Sequence, residues 1–302
     1  MNTLAVAMIR YAFTIAAIAL LGTATSTHSV ATPSPVARII YSTFARLQSY
    51  PVPSYAIWTA TWRIQQTPMG YYTHTSSSIE VHRYAVRLSD GLENISDPVP
   101  SGKLPPALIA HEFLGPFAWT LRTSVNVPPS NGVSLIPDIE GLKTIARVVV
   151  FAQPAYVLAN SSTEAQTIED VDGHPTYHLQ LRPTGDPRKH NLRDLWIDVA
   201  THDLRKAHFV GTYAPFPGAP ISDTDVTVYF RSVVGCWVVT QALWTYDDPP
   251  THYDFDVKND EIALEGTLPD WLFDAAGYHQ HQLAGEPDYI GELLDRLRSG
   301  GN

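Results

Sequence analysis

The sequence predicts an α+β protein: a strongly curved antiparallel β-sheet, a half-barrel, with helices covering its concave side. Three observations carry this. Strand-like runs recur along the chain and are separated by turn chemistry, without the βαβ alternation of a doubly wound parallel sheet. The 24 prolines, 18 glycines and 11% aromatic content supply turn formers and strand formers together. Several runs are apolar on both parities, so the sheet is covered on both sides or curls around an apolar interior.

The elements follow in chain order. Pro35 to Gln48 places Val36, Ile39, Ile40, Phe44 and Leu47 at spacings of three and four, an amphipathic helix. At Tyr55 the period changes to two. Ala56, Trp58, Ala60, Trp62 and Ile64 give one face of a strand over 55–65. Strand-like text returns at 71–76, 79–88, 144–151, 155–159, 175–182, 192–199, 204–213, 224–233, 237–246 and 252–257. Asp172-Gly173 and Val234-Gly235 are short enough to close hairpins, hence antiparallel neighbours. Val238, Ala242 and Trp244 are grouped on one face of 237–246, opposite Trp237, Val239 and Leu243. Helical text is confined to 105–121, broken by Gly115-Pro116, to a turn or two at 269–276, and to 288–298.

Ahead of all this, Arg10 precedes an apolar run Tyr11–Leu21 and then small residues at Gly22-Thr23-Ala24 and Ser29-Val30-Ala31. That is the pattern of a secretory signal peptide over residues 1–31. The run is about 11 residues, short of the ~20 needed to span a bilayer. Cleavage after Ala24 or after Ala31 fits equally; retention as an anchor is the alternative. The rest, 32–302, reads as one domain with an inserted helical segment near 103–125 and a helical tail. The expected location is extracytoplasmic.

The formal net charge of −10, with no basic run, argues against nucleic acid and anionic membrane surfaces as partners. A single cysteine, Cys236, excludes an intramolecular disulfide and thiolate metal clusters. Its apolar surroundings read as a buried, inert thiol.

Asp172-Gly173-His174-Pro175-Thr176-Tyr177-His178-Leu179, then Leu195-Trp196-Ile197-Asp198 with Thr201, Leu204 and Lys206, then Val226–Phe230 and Gly235-Cys236-Trp237 resemble the strand rhythm of the LolA-like family. This family comprises periplasmic lipoprotein carriers and their relatives. The resemblance covers roughly 170–245. It implies a half-barrel closed by helices over a cavity that holds acyl chains. The chain is longer than a typical carrier by 89–143 and by the tail after 260. No ligand-contact residue transfers from the family. Independently of it, Asp198 is expected to accept backbone N–H bonds from the Thr201-His202-Asp203 turn.

The sequence contains no G-x-S-x-G, S-x-x-K, H-E-x-x-H or phosphate-binding glycine motif. His174 and His178 lie ~13 Å apart along a strand, too far to share an ion. His279 with His281, Asp186 with His190 and Asp194, Asp223 with Asp225, and Asp254 with Asp256 are the remaining metal or carboxylate candidates. Trp58, Trp119 and Trp271 are the candidates for stacking a sugar. No catalytic residue, metal or cofactor is assigned. The first reading is an exported, non-enzymatic binder of a lipid or lipidated protein, with an envelope protein as a possible further partner. Trp58, Trp62, Phe117, Trp119, Phe230 and Trp244 would line the cavity, with Gly115-Pro116 as a hinge or a plain helix stop. The alternatives are a hydrolase using paired carboxylates or a His/Asp metal site, and an envelope structural module whose core is filled by its own side chains.

Overall fold

A computed structural model describes residues 34–51, 53–70, 74–87, 92–96, 111–114, 154–185, 187, 192–213, 222–284 and 289–300. The chain divides into two units, Met1–Thr32 and Pro33–Asn302; the described residues belong to the second.

The first helix, α1, spans Pro35–Ser49. Ser34 caps it by accepting from the Ala37 N–H at 3.1 Å, and Pro35 occupies the first turn, where no N–H is needed. Four strands follow, β1 Tyr55–Pro68, β2 Ser76–Arg87, β3 Leu92–Ser96 and β4 His111–Leu114. After a short helix α2, Pro154–Asn160, come β5 Ser161–Val171, β6 His174–Pro183, β7 Leu192–Asp198, β8 Leu204–Tyr213, β9 Ser222–Val233, β10 Cys236–Asp248 and β11 Thr251–Glu265. A 3-10 turn at Asp270–Phe273 leads into α3, Ala275–Leu283, and α4, Tyr289–Gly300.

All eleven strands form one open antiparallel sheet in the order β4-β3-β2-β1-β11-β10-β9-β8-β7-β6-β5. The chain lays down β1 to β4 outward to one edge. It resumes at the opposite edge and meanders back from β5, so that β11 closes against β1. Two hairpin turns have both central residues in the left-handed region: Asp172 and Gly173 (φ 53 and 79) and Val234 and Gly235 (φ 48 and 77).

The pairing register separates the faces. One transverse row reads Leu192, Phe209, Val226, Trp244, Phe255, Ile64 from β7 to β1. We call this the inner face. The next row reads Asp194, His208, Thr227, Leu243, Asp256, Arg63, Ile79 and defines the outer face.

On the β6–β10 half of the inner face, Leu179, Leu195, Phe209, Val228 and Phe230 bury against Ile39, Ile40 and Leu47 of α1 and Val157 of α2. Toward β1 and β2, a second cluster holds Ala56, Trp58, Ala60, Tyr84, Val86, Ile95 and Val257 with Cys236 and Val238. A third packs Ile57, Ala85 and Ala263 against Leu272, Phe273, Ile290 and Leu294. Ile57 and Ala85 alternate with Ala56, Trp58, Tyr84 and Val86, so the C-terminal helices cover the outer side of β1 and β2. Helices therefore cover both faces, not the concave one alone. The carbonyl of Leu272 accepts from the buried Asn94 amide at 2.8 Å, fixing the 3-10 turn to β3.

Several expectations need correction. Residues 155–159 are helix α2, not a strand: Pro154 suits a helix start and Val157 buries beside α1. Within the segment expected to be helical near 103–125, the described part, His111–Leu114, is strand β4 paired to β3. Of the runs 71–76 and 79–88, the part from Ser76 to Arg87 is one strand, β2, and 71–73 and 88 lie outside the described residues. The grouping of Val238 with Ala242 and Trp244 breaks at a register shift between Val239 and Gln241. Val239 thereby joins the cluster of Trp244, and Val238 joins that of Trp58. Strand β5 escapes pattern reading because Ser161–Glu164 and Gln166-Thr167 carry no apolar alternation; pairing to β6 holds it in place. Residues 1–31, where a signal peptide is expected, the Gly115-Pro116 break and the run 144–151 lie outside the described residues.

Candidate functional site: an aromatic band on the inner face

The inner face of β10, β11, β1 and β2 carries a continuous band of rings. Tyr253 stacks on Tyr246 (4.9 Å between centroids), Tyr246 on Trp244 (5.0 Å), and Trp244 on Phe255 (4.7 Å). Phe255 meets Trp62 edge to face at 6.1 Å, and Trp62 meets His82 at 6.1 Å. His82 leads to Tyr84 (6.4 Å), which stacks on Trp58 (4.8 Å). The band follows from strand parity: Trp244 pairs with Phe255, Phe255 with Ile64, and Trp58 with Tyr84. Trp58 and Tyr84 are fully buried, whereas Trp62, Tyr253 and Phe255 remain partly exposed. Among the described residues the cluster around Trp58 is built from strand side chains alone.

The indole nitrogens fall into two groups. Trp244 Nε1 donates to Thr224 Oγ1 at 2.6 Å, Trp237 Nε1 to the Leu204 carbonyl at 2.6 Å, and Trp196 Nε1 to Glu169 at 2.9 Å. Trp58 Nε1 and Trp62 Nε1 are buried without an acceptor among the described residues. Each such donor costs about 1–3 kcal/mol, and buried polar groups are ordinarily satisfied.

Of the cavity residues expected from sequence, Trp58, Trp62 and Trp244 lie in this band. Phe230 lies 1% exposed in the helix-covered cluster. Phe117 and Trp119 lie outside the described residues. Tyr84, His82, Tyr246, Tyr253 and Phe255 were not singled out from sequence. Their signal was the parity of 79–88 and 252–257, which reads as a face only once the pairing is known. Trp58 is fully buried, so it presents no surface to stack a sugar, and Trp271 already stacks on His281 at 3.9 Å.

The acid and histidine candidates are spent on a ladder across the outer face. His178 contacts Glu169 through Nδ1 (2.6 Å) and Asp194 through Nε2 (2.9 Å). Asp194 contacts His208 Nδ1 at 2.7 Å, and His208 Nε2 contacts Asp225 at 2.9 Å. Burial disfavours charge on His208, but the hydrogen bonds to Asp194 and Asp225 outweigh it and raise its pKa to about 9. Burial likewise opposes the Asp194 charge, and the bonds from His208 and His178 still hold its pKa below the ordinary carboxylate value. The Trp196 N–H, followed by His178, lowers that of Glu169. The ladder ties β5 to β9 edge to edge. Asp254 pairs with His252, and Asp256 accepts from Gln241 at 2.6 Å. Among the described residues no group of three His, Cys, Asp or Glu side chains is placed to hold a metal ion; Asp186 and His190 lie outside them.

Asp198 acts as a turn anchor. It accepts from the Ala200 and Thr201 N–H groups (2.9 and 3.0 Å) and from Arg205 through Nε and Nη2 (3.2 and 2.9 Å). Cys236 is buried, which pushes its thiol pKa up and leaves it inert. No described helix is long and apolar enough to cross a membrane.

No protein-family model and no curated protein sequence matches the chain. Solved structures similar to it include a putative outer membrane lipoprotein-sorting protein domain from Vibrio parahaemolyticus, at 12% identity over 80% of this chain and 97% of that one, with a TM-score of 0.35. A DUF1329 family protein from Desulfovibrio piger matches at 13% identity over 80% and 98%, TM-score 0.34. A LolA superfamily protein from Nitrosomonas europaea matches at 11% identity over 78% and 98%, TM-score 0.28.

Proposed function

We propose that the protein is an exported, non-enzymatic binder that holds an acyl chain against the aromatic band of the inner face. The single observation that carries this reading is the pair of buried indole N–H groups, Trp58 and Trp62, which lie among apolar rings without acceptors among the described residues. A ligand with a long apolar chain and a carbonyl or carboxylate end supplies what the band lacks. Its methylenes cover partly exposed rings at roughly 0.8 kcal/mol each, and its oxygen accepts from an indole. In this reading a free fatty acid, a lipid or the acyl chain of a lipidated protein meets the requirement.

The test is binding of a long-chain fatty acid to the purified protein, followed by fluorescence, with native mass spectrometry of the untreated sample for co-purifying lipid. Trp62→Phe keeps the ring and removes the donor. It should weaken binding about 5- to 30-fold, the worth of one hydrogen bond to a charged or polar acceptor. Trp62→Asp should abolish binding, because it buries an unpaired charge on the band. Absence of fatty-acid binding by the wild-type protein refutes the reading and leaves a sheet filled by its own side chains.

A further inference from the structure

A second concavity lies at the other end of β10, about 770 Å³ in volume. It is walled by the C-terminal end of α1 and by three hairpin ends: Asp172 and His174 of β5–β6, Asp203 and Arg205 of β7–β8, and Arg231, Ser232 and Gly235 of β9–β10. One wall is a four-membered stack. Arg46 lies over Tyr50 (4.7 Å), Tyr50 stacks on Trp237 (5.4 Å), and Arg205 lies over Trp237 (5.1 Å).

Three guanidinium groups from three separate elements therefore converge on one cleft in a protein of net charge −10. Each has a carboxylate partner. Arg46 Nε donates to Asp203 (2.8 Å), Arg205 to Asp198, and Arg231 Nη2 to Asp172 (3.0 Å). The charges balance, but the hydrogen-bonding groups do not. A guanidinium carries five N–H donors; Arg46 and Arg231 each spend one on these partners. Ser232 adds a hydroxyl, and His174 uses only Nδ1. Asp203 has both oxygens engaged, by Arg46 and Tyr50 on one and Thr201 on the other. Unspent donors thus outnumber unspent acceptors on the wall, where Asp172 is bonded through Oδ2 alone.

We propose that this cleft binds a phosphate ester or a comparable compact oxyanion, with Arg46, Arg205 and Arg231 as its donors. Guanidinium forks match tetrahedral oxyanions in a bidentate manner. The Arg231–Asp172 pair is exposed, with side chains 60% and 47% accessible, so it costs little to open and Arg231 turns readily to a ligand. Arg205 is 15% exposed and locked on Asp198, so it supplies fixed positive charge. The phosphate is carried either by a free phosphate ester or by a phospholipid headgroup. The proposal does not depend on the acyl-chain reading, since the cleft shares no lining residue with the aromatic band.

Titration calorimetry of the full chain at low ionic strength, with inorganic phosphate and then glycerol phosphate, tests it. Saturable binding is expected, weakened as salt rises. Arg231→Gln and Arg46→Gln should each reduce affinity at least about 10-fold. Arg182→Gln, remote on β6, should leave it unchanged. Arg46 also tethers α1, but Arg231 is mostly exposed, so Arg231→Gln retains the fold and keeps the test decisive. Sedimentation with phosphatidylcholine vesicles, with and without phosphatidic acid, separates the two sources. Capture by phosphatidic acid that glycerol phosphate competes away assigns a lipid headgroup; binding of glycerol phosphate without capture assigns a soluble ester. No binding of either phosphate at low salt, or equal binding by wild type and Arg231→Gln, overturns the proposal.

Discussion

His208 holds the centre of the outer-face ladder, and its energetics can be worked from its two partners. Both ring nitrogens face carboxylates, Asp194 at 2.7 Å and Asp225 at 2.9 Å, so only the imidazolium donates to both. The pKa stands near 9 in the folded protein against an ordinary value of 6.5. Folding therefore takes up protons in this range, and the linked stability is fully present below pH 6.5 and lost as pH rises through 9. At about 1.4 kcal/mol per pH unit, the gap corresponds to on the order of 3 kcal/mol. The side chain is 22% exposed, and solvent screening trims this toward about 2 kcal/mol. Urea unfolding of the wild type and of His208→Gln at pH 6, 8 and 9.5 measures it. The wild type should lose about 2–3 kcal/mol more than the variant between pH 6 and 9.5. Parallel pH profiles for the two proteins would refute the assignment of charge to the ladder.

Two further substitutions test local physics. Val234 is β-branched, 81% exposed and held at φ 48 in a two-residue turn; Val234→Asn should stabilise the protein by about 1 kcal/mol in thermal unfolding, since asparagine tolerates that conformation. Asp198→Ala should cost about 3–5 kcal/mol in urea unfolding, because it strips two turn N–H groups and leaves Arg205 unpaired. The hydrogen bonds to Asp198 hold its pKa below the ordinary carboxylate value against the opposing effect of burial. Its contribution is therefore present above about pH 4 and lost as pH falls further, so the difference between wild type and variant should shrink in acid.

The meander from β6 to β11 was legible because its separators carry turn residues such as Gly235 and Pro249-Pro250, and because Leu179, Leu195 and Phe209 fall on one parity. The amphipathic helix was legible for the same kind of reason: Ile39, Ile40 and Leu47 bury on one stripe. The Asp198 anchor was readable from turn chemistry alone. Strand β5 was not, because an edge strand needs no apolar face and its order comes from backbone pairing with β6. The ladder from Glu169 to Asp225 was not legible either. Its five side chains come from five strands and meet only through register, so no spacing along the chain announces them. The arginine cleft has the same origin, with Arg46, Arg205 and Arg231 far apart in sequence and joined by three hairpin ends.

An apolar ligand must reach rings that something can uncover, and α1 is a poor candidate for that movement. Ile39, Ile40 and Leu47 are buried to 8%, 0% and 2% exposure. Lifting the helix returns three large side chains to water, at roughly 1.5–3 kcal/mol each. It also breaks the contacts that Arg46 and Tyr50 make with Asp203, at 2.8 and 2.6 Å. Burial and the Asp203 contact push the Tyr50 phenol up to about 12, so it remains a donor at any ordinary pH. Any ligand bound beneath α1 would have these costs subtracted from what its methylenes return. On the helix-covered half of the inner face, α1 is held down by its buried stripe and by Asp203, and its C-terminal end walls the arginine cleft. The half built from β10, β11, β1 and β2 carries the partly exposed Trp62, Tyr253 and Phe255 and the two indoles without acceptors among the described residues. Apolar surface is accessible there without undoing the fold, which is why the acyl-chain site is assigned to the aromatic band and not to the larger cluster beneath α1.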